Sequence, residues 1–70
     1  MLRYTLHAQR RMMERGISEA DVQFCLDNYH TKFEAKKGYA LYVANHPNGK
    51  RIQVVIDTDA NRVITAIWLA

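Results

Sequence analysis

The residues best suited to chemistry stand close together in the stretch HAQRRMMERGIS, which begins at His7. His7, Arg11 and Arg15 recur there every four residues. A helix turns once in about 3.6 residues, so this spacing lines an imidazole and two guanidiniums along one face. Metal-free cleavage of an RNA phosphodiester needs groups of these kinds. A base must take the 2′-hydroxyl proton, cationic donors must meet the charge growing at phosphorus, and an acid must protonate the leaving oxygen. Histidine serves as acid or base because its unperturbed pKa lies near ~6.5. Arginine suits the anion because its planar fork gives two parallel hydrogen bonds to phosphate oxygens. The same stripe also reads as a solvated face, or as a docking patch for acidic partners.

Other residues could complete such a site. Thr65 falls midway along the last apolar segment, Arg10 lies beside the stripe, and Lys50 and Arg51 open a strand. Tyr4, Tyr42 and Trp68 could stack on bases. The ordinary readings stand beside these: Trp68 as packing in a small core, Lys50 and Arg51 as solvated residues next to a turn. His46 precedes Pro47 and reads as a surface turn residue, and His30 as the end of a helix. Three histidines and one cysteine show no metal-ligand spacing, and there is no glycine-rich phosphate loop or Ser-His-Asp signature. Neither a metal nor a cofactor is expected.

The elements that must position these residues follow from capping and periodicity. Thr5 is an N-cap for a first helix to Arg15, and Gly16 ends it in a left-handed conformation. Leu6, Met13 and Ile17 cluster on the helical wheel. His7, Arg11 and Arg15 form a separate arc, flanked on its other side by Ala8 and Met12. That arc is expected at the rim of a helix–sheet contact, because arginine is almost never buried unpaired. Ser18 and Asp21 form a capping box for a second helix to about Asn28, with Val22, Cys25, Leu26 and Tyr29 as its buried stripe.

After His30 the pattern alternates. TKFEAK reads as an edge strand, Lys37-Gly38 as a turn and YALYVA as a second strand. NHPNG is a turn, RIQVVID a third strand with Ile52, Val54 and Ile56 on one face, and DTDANR another turn. VITAIWLA is apolar on both faces, which predicts an interior strand. The expectation is an α+β fold, two helices on one face of a four-stranded antiparallel sheet, forming one domain over 1–70.

With 70 residues, 49% of them hydrophobic, the chain reads as one small globular domain near the lower limit for folding without disulfides. Cys25 alone cannot form an internal disulfide, which fits a reducing cytoplasm. MLRYTLHAQRR lacks the roughly 7–15-residue apolar run of a secretory signal, and no segment is long enough to span a bilayer. The net charge of +3 is modest, but it is unevenly placed: the first helix is basic and the second acidic. Polyanion binding is expected on the first helix and the Lys/Arg-bearing strands. An exposed first or last strand could also support a homodimer.

HAQRRMMERGIS followed by an acidic, apolar helix resembles a widespread bacterial family of small domains of unknown function. That family's first helix reads His-Ala-x-x-Arg-Met-x-x-Arg-Gly-Ile, and a Val-Ile-Thr strand lies near its end. The matching residues are His7, Ala8, Arg11, Met12, Arg15, Gly16 and Ile17, then Val63, Ile64 and Thr65. Such domains resemble the RelE/ParE and BrnT toxin folds, many of which are ribonucleases in toxin–antitoxin pairs, with related domains ending polymorphic toxins. The resemblance implies a metal-independent RNA endonuclease restrained by an antitoxin or immunity protein. It gives His7, Arg11 and Arg15 the functional roles, with Thr65 contributing.

Overall fold

A computed structural model describes residues 2–35 and 38–69. The elements in chain order are β1 (Arg3–Tyr4), α1 (Leu6–Arg15), α2 (Glu19–Asn28), β2 (Thr31–Glu34), β3 (Tyr39–Asn45), β4 (Arg51–Asp57) and β5 (Arg62–Leu69). Both helices begin and α1 ends as the caps dictate. The Thr5 hydroxyl accepts from the Ala8 amide at 3.0 Å, and Gly16 closes α1 at φ 66°. Ser18 and Asp21 exchange two hydrogen bonds, 2.9 and 3.1 Å, in a complete capping box.

Among the described residues the sheet has five strands in the order β1-β5-β4-β3-β2, not four, and it is mixed rather than antiparallel. Arg3 and Tyr4 form β1, which runs parallel to β5 beside Arg62 and Val63. Two residues are too few to show alternation, so the strand left no periodic trace in the sequence. Its presence gives β5 a neighbour on both sides at Arg62 and Val63, so the expected interior position holds only for the start of that strand. β2 is the opposite edge. The Lys37-Gly38 turn falls partly, and the ends of the TKFEAK and VITAIWLA segments fall, outside the described residues, at Lys36, Lys37 and Ala70.

Both helices cover one sheet face. Ile52, Val54 and Ile56 of β4 point into that layer, meeting Ala8, Met12, Ile17, Val22 and Cys25 from the helical side. The wheel cluster is corrected here: Ile17 is buried, but Leu6 and Met13 are 76% and 84% exposed, and Ala8 and Met12 take the core. α1 lies close against β5, so the small Ala8 is favoured at the contact over the bulkier Leu6. A bulge sits where β4 passes from Val55 to Ile56: Val55 pairs with Thr65 and Ile56 with Val63, leaving Ile64 as the extra residue of β5.

Candidate functional site

The burial of Ala8 and Met12 fixes the azimuth of α1 and carries the arc of His7, Arg11 and Arg15 toward the outer margin of β5. β1 pairs with β5 only at Arg62 and Val63, so among the described residues the margin beyond has no neighbouring strand. Arg15 closes part of it. Its Nη1 donates to the Ala66 carbonyl at 2.9 Å and makes a longer, weaker contact of 3.4 Å with the Thr65 hydroxyl. Residues fifty positions apart are thus joined at one place, and Arg15 and Thr65 are brought together.

Trp68 extends this cluster. Its indole N–H donates to the Arg15 carbonyl at 2.9 Å, satisfying an acceptor that the helix end leaves unpaired. The Lys50 ammonium lies 5.9 Å from the centre of the same indole ring. Arg15 and Lys50 therefore flank one aromatic side chain. Arg11 is held at 2.9 Å by Glu14, a pair with both side chains about half exposed. His7 and Arg10 are exposed on α1. The helical rise of about 1.5 Å per residue puts Arg11 some ~6 Å, and Arg15 some ~12 Å, along the axis from His7. One phosphate can meet His7 and Arg11 together, whereas Arg15 belongs to the next position along.

Arg51 is not part of this run. Alternation along β4 turns it to the sheet face away from the helices. Tyr4 and Tyr42 are partly buried against the core; Tyr42 meets Tyr29 edge-on with ring centres 5.0 Å apart. Burial, and after it the Glu19 carboxylate, raises the Tyr4 pKa, so its phenol stays protonated at neutral pH. Tyr4 and Tyr42 line clefts between the helices and the sheet, and none of His7, Arg10, Arg11, Arg15, Lys50, Arg51 or Thr65 lines those clefts. One of about 290 Å³ is walled by Leu2, Leu26, Tyr29, Tyr42 and Ile56.

The sequence reading of His46 as a surface turn residue is also corrected. Its ring is wedged edge-on between Phe24 and Trp68, at 5.3 and 5.1 Å. Its Nε2 lies 2.8 Å from Asp21 Oδ1, and its Nδ1 accepts from the Asn48 amide at 3.1 Å. These contacts occupy both ring nitrogens, so His46 fastens the β3–β4 turn to α2. Burial opposes ionisation of Asp21. The Ser18 amide, the His46 ring and the Ser18 hydroxyl outweigh it and hold the carboxyl below its usual value. The position of His46 before Pro47 gave no hint of this long-range partner.

Burial pushes the Cys25 thiol up to about 11, against a lowering backbone contact, so it stays protonated near neutral pH. Among the described residues, no group of three or more His, Cys, Asp or Glu could hold a metal. No helix there is long and apolar enough to cross a membrane. No curated protein and no solved structure is significantly similar to the chain. A family profile matches residues 4–68, nearly the whole chain; its description is Domain of unknown function (DUF4258).

Proposed function

The chain belongs to the DUF4258 family, and from that premise we propose that it is a metal-independent RNA endonuclease acting along the outer edge of α1. The observation that carries this reading is the docking of Arg15 on Thr65 and Ala66. That contact sets the Arg15 guanidinium against the end of β5, and Lys50 lies 5.9 Å from the Trp68 ring of the same strand; in this reading the two cations continue the stripe that His7 heads. RNA phosphates would lie along the run. The scissile one sits between His7 and Arg11, and Arg15, Lys50 and Arg10 hold the flanking chain.

In this scheme His7 takes the 2′-hydroxyl proton as the 2′-oxygen attacks phosphorus. The bond to the 5′-oxygen breaks, and solvent protonates that leaving oxygen. The products are a 2′,3′-cyclic phosphate and a 5′-hydroxyl. Arg11 exchanges its Glu14 partner for the phosphoryl oxygens, which costs little because exposed ion pairs contribute only ~0–1 kcal/mol. The RelE/ParE/BrnT-like fold, a cytoplasmic setting and restraint by an antitoxin or immunity protein belong to this same proposal.

The test is incubation of the protein with RNA in EDTA beside His7→Ala. Cyclic-phosphate ends from the wild type only, with binding retained by the variant, support catalysis. A second reading is favoured by the engagement of both Arg11 and Arg15 within the protein: a non-enzymatic module that binds RNA or an acidic protein. It predicts salt-sensitive binding and no new RNA ends.

A further inference from the structure

The β3–β4 turn, residues 46–50, places each of its backbone amides on an acceptor of its own. The His46 amide donates to the Lys50 carbonyl at 2.8 Å, and the Gly49 amide to the His46 carbonyl at 3.1 Å. The Lys50 amide donates to Asn48 Oδ1 at 2.9 Å, and Pro47 has no N–H to place. Those three acceptors are amide oxygens, which no change of pH near neutrality removes. The fourth differs. Asn48 donates to Nδ1 of the His46 ring at 3.1 Å, an acceptor that exists only while that nitrogen carries no proton.

A histidine ring that gains its second proton has an N–H on each nitrogen, so Nδ1 and the Asn48 amide become two donors face to face. One side must then move, and the surroundings decide which. The ring is fixed to the body of the fold. Its Nε2 lies 2.8 Å from Asp21 Oδ1, a contact that a second proton turns into a charge-assisted pair. Phe24 and Trp68 pack against it, and the capping box anchors Asp21 in turn. The turn is the looser side. Pro47, Asn48, Gly49 and Lys50 are all exposed, and Gly49 stands at φ 89° with open space beside it, where glycine lets the backbone rotate. Two charges lie close to the ring: Asp21 of α2 favours the second proton, and Lys50, whose ammonium is 5.9 Å from the Trp68 ring centre, opposes it. Arg15 of α1, joined to Trp68 through its carbonyl, opposes it from further off. Phe24 and Trp68 carry no charge.

We propose that the β3–β4 turn is a proton-operated switch: protonation of His46 at Nδ1 expels the Asn48 amide and rearranges residues 47–50, while Nε2 stays on Asp21. One proton passes from solvent to Nδ1, and the Asn48 amide exchanges its ring acceptor for water. No other bond is made or broken at the ring. α2 remains fastened to the His46 side chain, and Lys50 leaves its place against Trp68. The bearing on RNA, loss of the last cation of the run, rests on the proposed function. The switch itself does not.

Nuclear magnetic resonance of the wild type tests it, over the range from about pH 8 to 5 in which histidines ordinarily change charge. At the upper end the His46 ring should carry its proton on Nε2 alone. As Nδ1 is protonated, the three-bond HN–Hα couplings of Asn48 and Gly49, which report φ rather than charge, should change with the His46 midpoint. Nuclear Overhauser contacts between Lys50 and Trp68 should be lost over the same interval. In His46→Gln the couplings should stay constant throughout; should that variant not fold, the wild-type couplings decide alone. A ring protonated on Nδ1 at the upper end, or one that takes no second proton by about pH 5, overturns the proposal. Couplings that stay fixed while His46 titrates, that follow His7 or His30 instead, or that change equally in His46→Gln, overturn it too. No RNA is present, so the nuclease reading can fail without touching this result.

Discussion

Arg15 and Asp21 show how one side chain acquires its duty from what lies across the fold. Arg15→Ala removes a charged donor from the Ala66 carbonyl at the open margin of β5. It should lower stability by about 1 kcal/mol and weaken RNA binding, which thermal unfolding and a filter-binding titration would show. Thr65→Val removes only the longer contact and should leave stability within ~0.5 kcal/mol. Asp21→Ala takes away a capping partner and the His46 contact together, at a cost of about 1–2 kcal/mol. Because the native Asp21 pKa is depressed, its contribution is present at neutral pH. It declines as pH falls past the ordinary carboxylate value near ~3.9 and is lost below the native one. Asp57 adds a dependence of the same sign. Denaturant midpoints measured between neutral and acid pH should therefore fall less steeply in Asp21→Ala than in the wild type. Cys25, fully buried and held as a thiol, should react with iodoacetamide only as fast as the protein opens.

Elements carry the second set of expectations. Gly16 stands at φ 66° with open space where a Cβ would go, so the cost of a side chain there is backbone conformation alone. Gly16→Ala should destabilise by about 1 kcal/mol, and Gly16→Asn by less, in equilibrium unfolding. Here the sequence was legible: caps are local chemistry, and Thr5, Gly16, Ser18 and Asp21 marked three helix ends. The four longer strands were legible for the same reason, since alternation and turn residues act over short distances. β1 was not, because a two-residue strand exists only through its partner Arg62–Val63. The facing of α1 was half legible. Periodicity showed that Leu6 and Met13 share a side, but the close approach of β5, which prefers Ala8 and Met12, is a tertiary fact. The candidate site divides likewise: the His7–Arg11–Arg15 stripe was readable, while its junction with Thr65, Trp68 and Lys50, and the tether of His46 to Asp21, depend on distant contacts.

For the whole molecule the decisive feature is how charge and apolar surface are distributed over a two-layer α+β fold. The cations proposed to bind RNA lie where α1 meets β5, and Phe33, Leu41 and Val55 lie on the opposite side of the sheet. A net charge of +3 gives only weak general attraction, so binding should come from this local run. If Arg11, Arg15 and Lys50 each neutralise one phosphate, replacing any one of them by Ala should reduce the salt slope of log affinity by roughly 0.7–0.9. The location of the run is the claim on which the functional account depends. It is tested most directly by titrating a short single-stranded RNA into labelled protein and following backbone amide shifts. The account predicts that shifts concentrate at residues 6–15, Lys50 and residues 64–68. Shifts centred instead on Phe33, Leu41 and Val55, or none at saturating RNA, would contradict it.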